Sequence, residues 1–106
     1  MVAALLLQAV GATLARAPNL RLETLIIFLA VCENEGIGVK ELVYICGLSE
    51  SMVSRAVDNL CRPEGGMLLT VVRHASDGRR RLVHLSEAGL ALLQGFEAFL
   101  PKPVEA

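Results

Sequence analysis

The apolar positions change their spacing along the chain, and each spacing predicts an element. Within Met1–Ala17, Leu6, Val10 and Leu14 recur every fourth residue with Leu5 and Ala9 beside them, the pattern of a short amphipathic helix. Gly11 weakens that helix, which would be marginal alone and is expected to pack on another subunit. Pro18-Asn19 punctuates the chain, with Asn19 placed to cap the next helix. Leu20 to Asn34 predicts that second helix, bearing Leu22, Leu25, Ile26, Ile27, Phe28, Leu29 and Val31. With so little polar circumference it is expected at the centre of the domain. Glu35-Gly36-Ile37-Gly38 breaks the periodicity and leaves room for a strand of one or two residues at Ile37.

The most informative stretch is Val39 to Cys61. Leu42, Val43 and Cys46 share one face of a short helix, and Met52, Val53, Ala56, Val57 and Leu60 share a face of another. Gly47-Leu48-Ser49 lies between them. Gly47 can take the left-handed conformation that ends a helix, Ser49 can accept the orphan amides that start the next, and Leu48 can staple the junction. Two helices joined in this way form a helix-turn-helix, whose second member can lie in the DNA major groove. The face of that second helix opposite the apolar stripe carries Glu50, Ser51, Ser54, Arg55, Asp58 and Arg62. An isolated helix with such a face is ordinarily just solvated. Here small hydroxyls near the N-terminal end permit close approach, and Arg55 supplies a bidentate donor suited to guanine.

Past Pro63 and a Glu64-Gly65-Gly66 loop, Met67 to His74 is aliphatic and β-branched and predicts a strand. Asp77-Gly78 is a two-residue hairpin signal, and Arg80 to Leu85 predicts the returning strand. A hairpin placed directly after a helix-turn-helix is a wing. Its tip carries Arg79, with Arg80 and Arg81 behind it and Arg73 and His74 alongside. Charge on an edge hairpin also guards against aggregation. Three consecutive arginines at a turn favour instead phosphate clamping or insertion into the minor groove. Ser86 then caps a last helix, Glu87 to Leu100, with Leu90, Leu93, Phe96 and Leu100 along one side; Pro101 and Pro103 end it, and residues 101–106 are expected to fray.

Composition adds two points. With 54% hydrophobic residues in 106, and a mean hydropathy of +0.55, the chain carries more apolar surface than so small a domain readily buries. A homodimer is therefore expected. The formal net charge is only −1, yet Arg55, Arg62, Arg73, Arg79, Arg80 and Arg81 fall in one stretch with only Asp58, Glu64 and Asp77 against them. A local basic patch is what DNA contact requires; overall charge is not.

Several functions are disfavoured. The apolar start lacks a basic leader region, Pro18 follows its one Ala-x-Ala-like site, and the run is too short to cross a bilayer. Cys32, Cys46 and Cys61 are odd in number, never in a Cys-x-x-Cys pair, and lie on or beside apolar faces. They are expected to be small buried hydrophobes in a reducing cytoplasm, not sensor thiols. His74 and His84 both fall on the wing strands, and no nucleophile–base pair, carboxylate pair, phosphate loop or metal cluster can be assembled. No enzyme, cofactor or metal site is expected.

ELVYICGLSESMVSRAVDNL followed by DGRRRLVHLSEAG resembles the MarR family of bacterial transcription regulators. Glu41, Leu42, Gly47, Leu48, Ser49, Ser51, Val53, Ser54, Arg55, Val57, Asp58 and Leu60 match its helix-turn-helix. Asp77, Arg79, Val83, Leu85, Ser86 and Gly89 match its wing. The resemblance implies a mainly α winged helix-turn-helix domain over 1–106, its core at 20–85 and its flanking helices serving dimerisation. It implies a homodimeric repressor in the bacterial cytoplasm, on the nucleoid, with double-stranded DNA as partner.

Carried onto this sequence, the resemblance makes Ser51, Ser54 and Arg55 the major-groove readers and Arg79 the minor-groove residue, held by Asp77. Phosphate contacts would come from Arg73, Arg80, Arg81 and Lys40, and the expected DNA-contacting set also includes Ser49, Arg62 and His74. Met52 stands where the family often has a polar residue; it either packs inward or meets a thymine methyl. Family members carry longer terminal helices, so the first and last helices are expected to pair across a two-fold. No small-molecule effector is predicted from resemblance alone. The competing reading is a winged-helix module for protein–protein assembly, or for non-specific DNA binding in replication or chromosome organisation.

Overall fold

A computed structural model describes residues 1–100 of the chain. The predicted helix stop at Pro101 and Pro103 and the tail at 101–106 lie outside them. The elements run α1 (Val2–Arg16), α2 (Leu22–Glu33), β1 (Ile37–Gly38), α3 (Val39–Cys46), α4 (Glu50–Leu60), a 3-10 turn (Pro63–Gly65), β2 (Leu69–Arg73), β3 (Arg81–Leu85) and α5 (Glu87–Glu97). The three strands form one antiparallel sheet in the order β1-β3-β2. Ile37 pairs with Val83, and Leu69 with Leu85.

The junction of α3 and α4 forms as its residues dictate. Gly47 adopts φ 65°, ψ 24°, the left-handed cap, and its amide donates back to the Val43 carbonyl. Ser49 then caps α4, its Oγ accepting from the Met52 amide at 3.2 Å. The core gathers on three helices and the sheet. Ile27, Phe28 and Val31 of α2 meet Leu42 of α3, Val53, Val57 and Leu60 of α4, and Leu68, Leu69 and Val83 beside and within the sheet. These side chains are essentially removed from water, so the hydrophobic term fixes how the wing and the helix pair sit relative to α2.

α5 is anchored where it begins. Ser86 caps it by accepting from the Gly89 amide at 3.0 Å, and its own hydroxyl donates to the Met67 carbonyl. A β-carbon on Gly89 would collide with the Leu68 carbonyl, so glycine lets α5 approach that backbone. Further along, Phe96 stands edge-on to Phe28, ring centroids 6.3 Å apart, and α1 packs alongside α5.

Several expectations are corrected. Asn19 does not cap α2: Leu20 donates to the Ala17 carbonyl, closing a turn with Pro18 at its favoured second position. α2 begins only at Leu22, after Arg21, with no side-chain cap. α2 is not enclosed on all sides either, for Leu22 (70%), Ile26 (39%) and Leu29 (38%) remain exposed. α5 ends at Glu97 instead of Leu100, because Phe99 and Leu100 bond three residues back rather than four. The strand expected over Met67–His74 is shorter, Leu69–Arg73. Asp77-Gly78 is not a two-residue hairpin loop: the ladder closes at Arg73–Arg81, leaving residues 74–80 to connect the strands. Within that connection, Arg80 donates to the Asp77 carbonyl at 3.0 Å, so the turn survives inside a longer loop.

Candidate nucleic-acid interface

Two surfaces meet on one side of the molecule, the outer face of α4 and the wing. On α4, Ser51 and Arg55 are exposed, while Ser54 and Asp58 are half-buried. Met52, assigned to the apolar stripe from its spacing, is 36% exposed and borders a cleft together with Arg55. It is not a core residue, since Val53, Ala56 and Val57 already fill the space against α2. Ser49 spends its hydroxyl capping the helix, with Ser51 Oγ 3.4 Å away.

The wing is built by its own cations. The Arg73 guanidinium donates to the Gly78 carbonyl at 2.6 Å and braces the tip from inside. His74 Nδ1 accepts from the amides of Ser76 (3.1 Å) and Asp77 (3.2 Å), so the ring organises the loop. Asp77 Oδ1 accepts from the Arg79 amide at 3.1 Å, an Asx turn that fixes the Arg79 backbone. The hold of Asp77 on Arg79 is thus through the main chain.

Two further arginines bind the wing to the helix pair. Arg80 Nη2 lies 3.0 Å from Glu41 Oε1 on α3. Arg81 Nη2 donates to Ser54 Oγ at 3.1 Å, and Arg81 Nη1 is 3.6 Å from Asp58 Oδ1, both on α4. These pairs are substantially exposed and contribute little stability each. Their effect is geometric, because a hairpin tied to both α3 and α4 cannot swing independently of them. Among the described residues, Arg79 is the wing arginine whose guanidinium has no protein partner; Arg55 on α4 and Arg62, just past its C-terminal end, are likewise unpaired.

The remaining chemistry is quiet. Burial, and then the neighbouring Glu33 carboxylate, pushes the Cys32 thiol up to about 11. Desolvation also raises Cys46 and Cys61 above the ordinary thiol value. All three cysteines are free, half-buried thiols. Among the described residues no group of three or more His, Cys, Asp or Glu side chains is placed to hold a metal, and no helix is long and apolar enough to cross a membrane.

Among solved structures, RV1404 from Mycobacterium tuberculosis superimposes with a TM-score of 0.71 at 18% identity, over 90% of this chain and 63% of that one. MepR of S. aureus, in complex with DNA, gives 0.71 at 19% identity over 93% of this chain and 78% of its own. A mutant MarR from E. coli, complexed with operator DNA, gives 0.66 at 16% identity over 83% and 61%. The fold is that of the MarR-type regulators. No protein-family model matches the sequence, and no curated protein matches it either. The chain spans 63% and 64% of the lengths of RV1404 and of MarR itself.

Within this MarR-type scaffold the sequence brought out α4, the wing and its arginines. It did not bring out the partners of Arg80 and Arg81, which lie 39 and 27 residues away. The cleft at the foot of α2 was missed too. Its signal, Thr24 following Arg21 and Glu23 at the start of an otherwise apolar helix, has no periodicity to make it stand out.

Proposed function

We propose that this chain is a sequence-specific, double-stranded-DNA-binding transcription regulator that works as a homodimer. α4 lies in the major groove, where Arg55 and Ser51 meet base edges, and Arg79 enters the adjoining minor groove. The carrying observation is the division of labour among the arginines. Arg73, Arg80 and Arg81 hold the wing against itself and against α3 and α4, which leaves Arg79 and Arg55 as outward-facing cations on a rigid frame. A purely protective charged edge would need no such bracing.

The dimer is supported by unpartnered apolar surface. Leu6, Val10 and Leu14 lie four residues apart on α1 and are 54%, 40% and 46% exposed; on the adjacent α5, Leu90 is 46% exposed. A two-fold pairing of these helices buries that surface and presents two α4 helices to successive major grooves. Such a dimer seated over a promoter blocks access to it, so repression is the action we infer.

The test is a comparison of two variants. Arg79→Ala lowers affinity for all duplexes alike, whereas Arg55→Ala also relaxes the preference at one base pair, by about 1–3 kcal/mol of discrimination. An unchanged preference in Arg55→Ala overturns the groove assignment.

A further inference from the structure

Beside α4, next to the face that contacts the wing, an open cleft of about 430 Å³ separates the first turn of α2 from the outer edge of α4. Its walls are Asn19, Arg21 and Thr24 on one side, and Met52, Arg55, Asn59 and Arg62 on the other. Three guanidiniums thus surround one concavity. Of the two carboxylates at its margin, Glu23 and Asp58, the second is already engaged by Arg81.

Two independent features make this more than a charged groove. First, α2 begins without a side-chain cap, since Arg21 at the cap position offers no acceptor to the first-turn amides. Those amides and the positive end of the helix dipole are left for an external anion. Second, Thr24 is 7% exposed, yet its hydroxyl has no hydrogen-bond partner among the described residues. No fully enclosed polar side-chain atom among them lacks a partner, so this hydroxyl opens into the cleft. A nearly buried hydroxyl, uncapped amides and converging arginines match the needs of a tetrahedral, singly charged oxyanion.

We propose that this cleft seats a phosphate of the DNA backbone, forming an anchor beside α4 and distinct from the wing tip. It rests on the DNA reading above and adds a second clamp to it. Arg21 and Arg62 supply charge-assisted hydrogen bonds, Thr24 and the α2 first turn supply neutral donors, and Asn19 and Asn59 close the rim. Arg55 on α4 also borders the cleft, so the seated phosphate limits how α4 can rotate in the groove. Gripped at the wing and at the cleft, the DNA backbone holds α4 in one register.

The test uses a short fluorescent duplex of mixed sequence, because a phosphate contact does not depend on the operator. Affinity is measured between about 50 and 200 mM salt for the wild type and for Arg21→Ala, Arg62→Ala, Thr24→Val and Arg79→Ala. Thr24→Val keeps the side chain's shape, and circular dichroism and thermal melting confirm that each variant folds. Arg21→Ala and Arg62→Ala are each expected to lower the slope of log affinity against log salt by about one. Thr24→Val is expected to weaken binding on the order of threefold to tenfold with the slope unchanged, as loss of a neutral donor requires. If Arg79→Ala weakens binding while the three cleft variants bind like the wild type, the anchor is wrong and the DNA reading stands. If the wild type binds no duplex even at the lowest salt, both fall.

Discussion

Arg81 and Ser54 join the wing to α4: the guanidinium donates to the serine hydroxyl at 3.1 Å and reaches Asp58 at 3.6 Å on the next turn of that helix. Ser54 and Asp58 are four residues apart on α4, so one arginine spans one helical turn. A serine on the outward half of α4 thereby becomes part of the frame, and its hydroxyl is already engaged within the protein.

That relationship sets the first expectation. Arg81→Ala removes a tie that is largely solvent-screened, so its effect on folding stability is expected to stay under about 1 kcal/mol. Its effect on DNA binding is expected to be larger, because the wing must then be ordered on binding. Thermal melting and duplex titration of the same variant separate the two. A large loss of stability with unchanged affinity would contradict this division.

The apolar face of α1 makes a second expectation. Leu6→Glu combined with Val10→Glu places charge on exposed positions, so the fold should survive while the dimer does not. Sedimentation equilibrium is expected to give a monomer, with affinity for a palindromic site falling steeply and affinity for a single half-site little changed. A variant that stays dimeric would place the interface elsewhere.

Much of this arrangement was legible in the sequence where the cause is local. Gly47 and Ser49 act on their own backbone, so the α3–α4 turn comes directly from their chemistry. The apolar spacing of Val53, Ala56, Val57 and Leu60 likewise fixes which side of α4 is buried. Met52 belonged to the same spacing and still lies outside the core, because periodicity gives direction but not the reach of the neighbouring helix. The wing loop was underestimated because Asp77-Gly78 signals a turn without saying where the ladder stops; His74 and Arg73 stop it by bonding the loop's own backbone. The pairing of Arg80 with Glu41 depends on tertiary approach across 39 residues, which no local pattern encodes.

The cysteines yield a third expectation, with a definite sign. The folded-state thiol of Cys32 is pushed up to about 11, above its ordinary value near 9, mainly by burial. The folded state therefore holds this proton more tightly than the unfolded chain. Its contribution to stability is intact below about pH 9 and is lost as pH rises toward 11. Chemical denaturation across that window should show falling stability, with a shallower fall in Cys32→Ala. Thiol alkylation near neutral pH is expected to be slow for Cys32, and rapid modification there would contradict its burial.

The most direct measurement of the central claim is selection from a random-duplex pool at moderate salt, with the retained DNA sequenced. A dimer reading bases through α4 and Arg55 should enrich a near-palindrome whose half-sites lie about 10 bp apart, centre to centre. Retention without any enriched motif would contradict base reading and leave a non-specific DNA module. Failure to retain duplex even at low salt would contradict DNA binding itself and make the braced wing a surface for a protein partner.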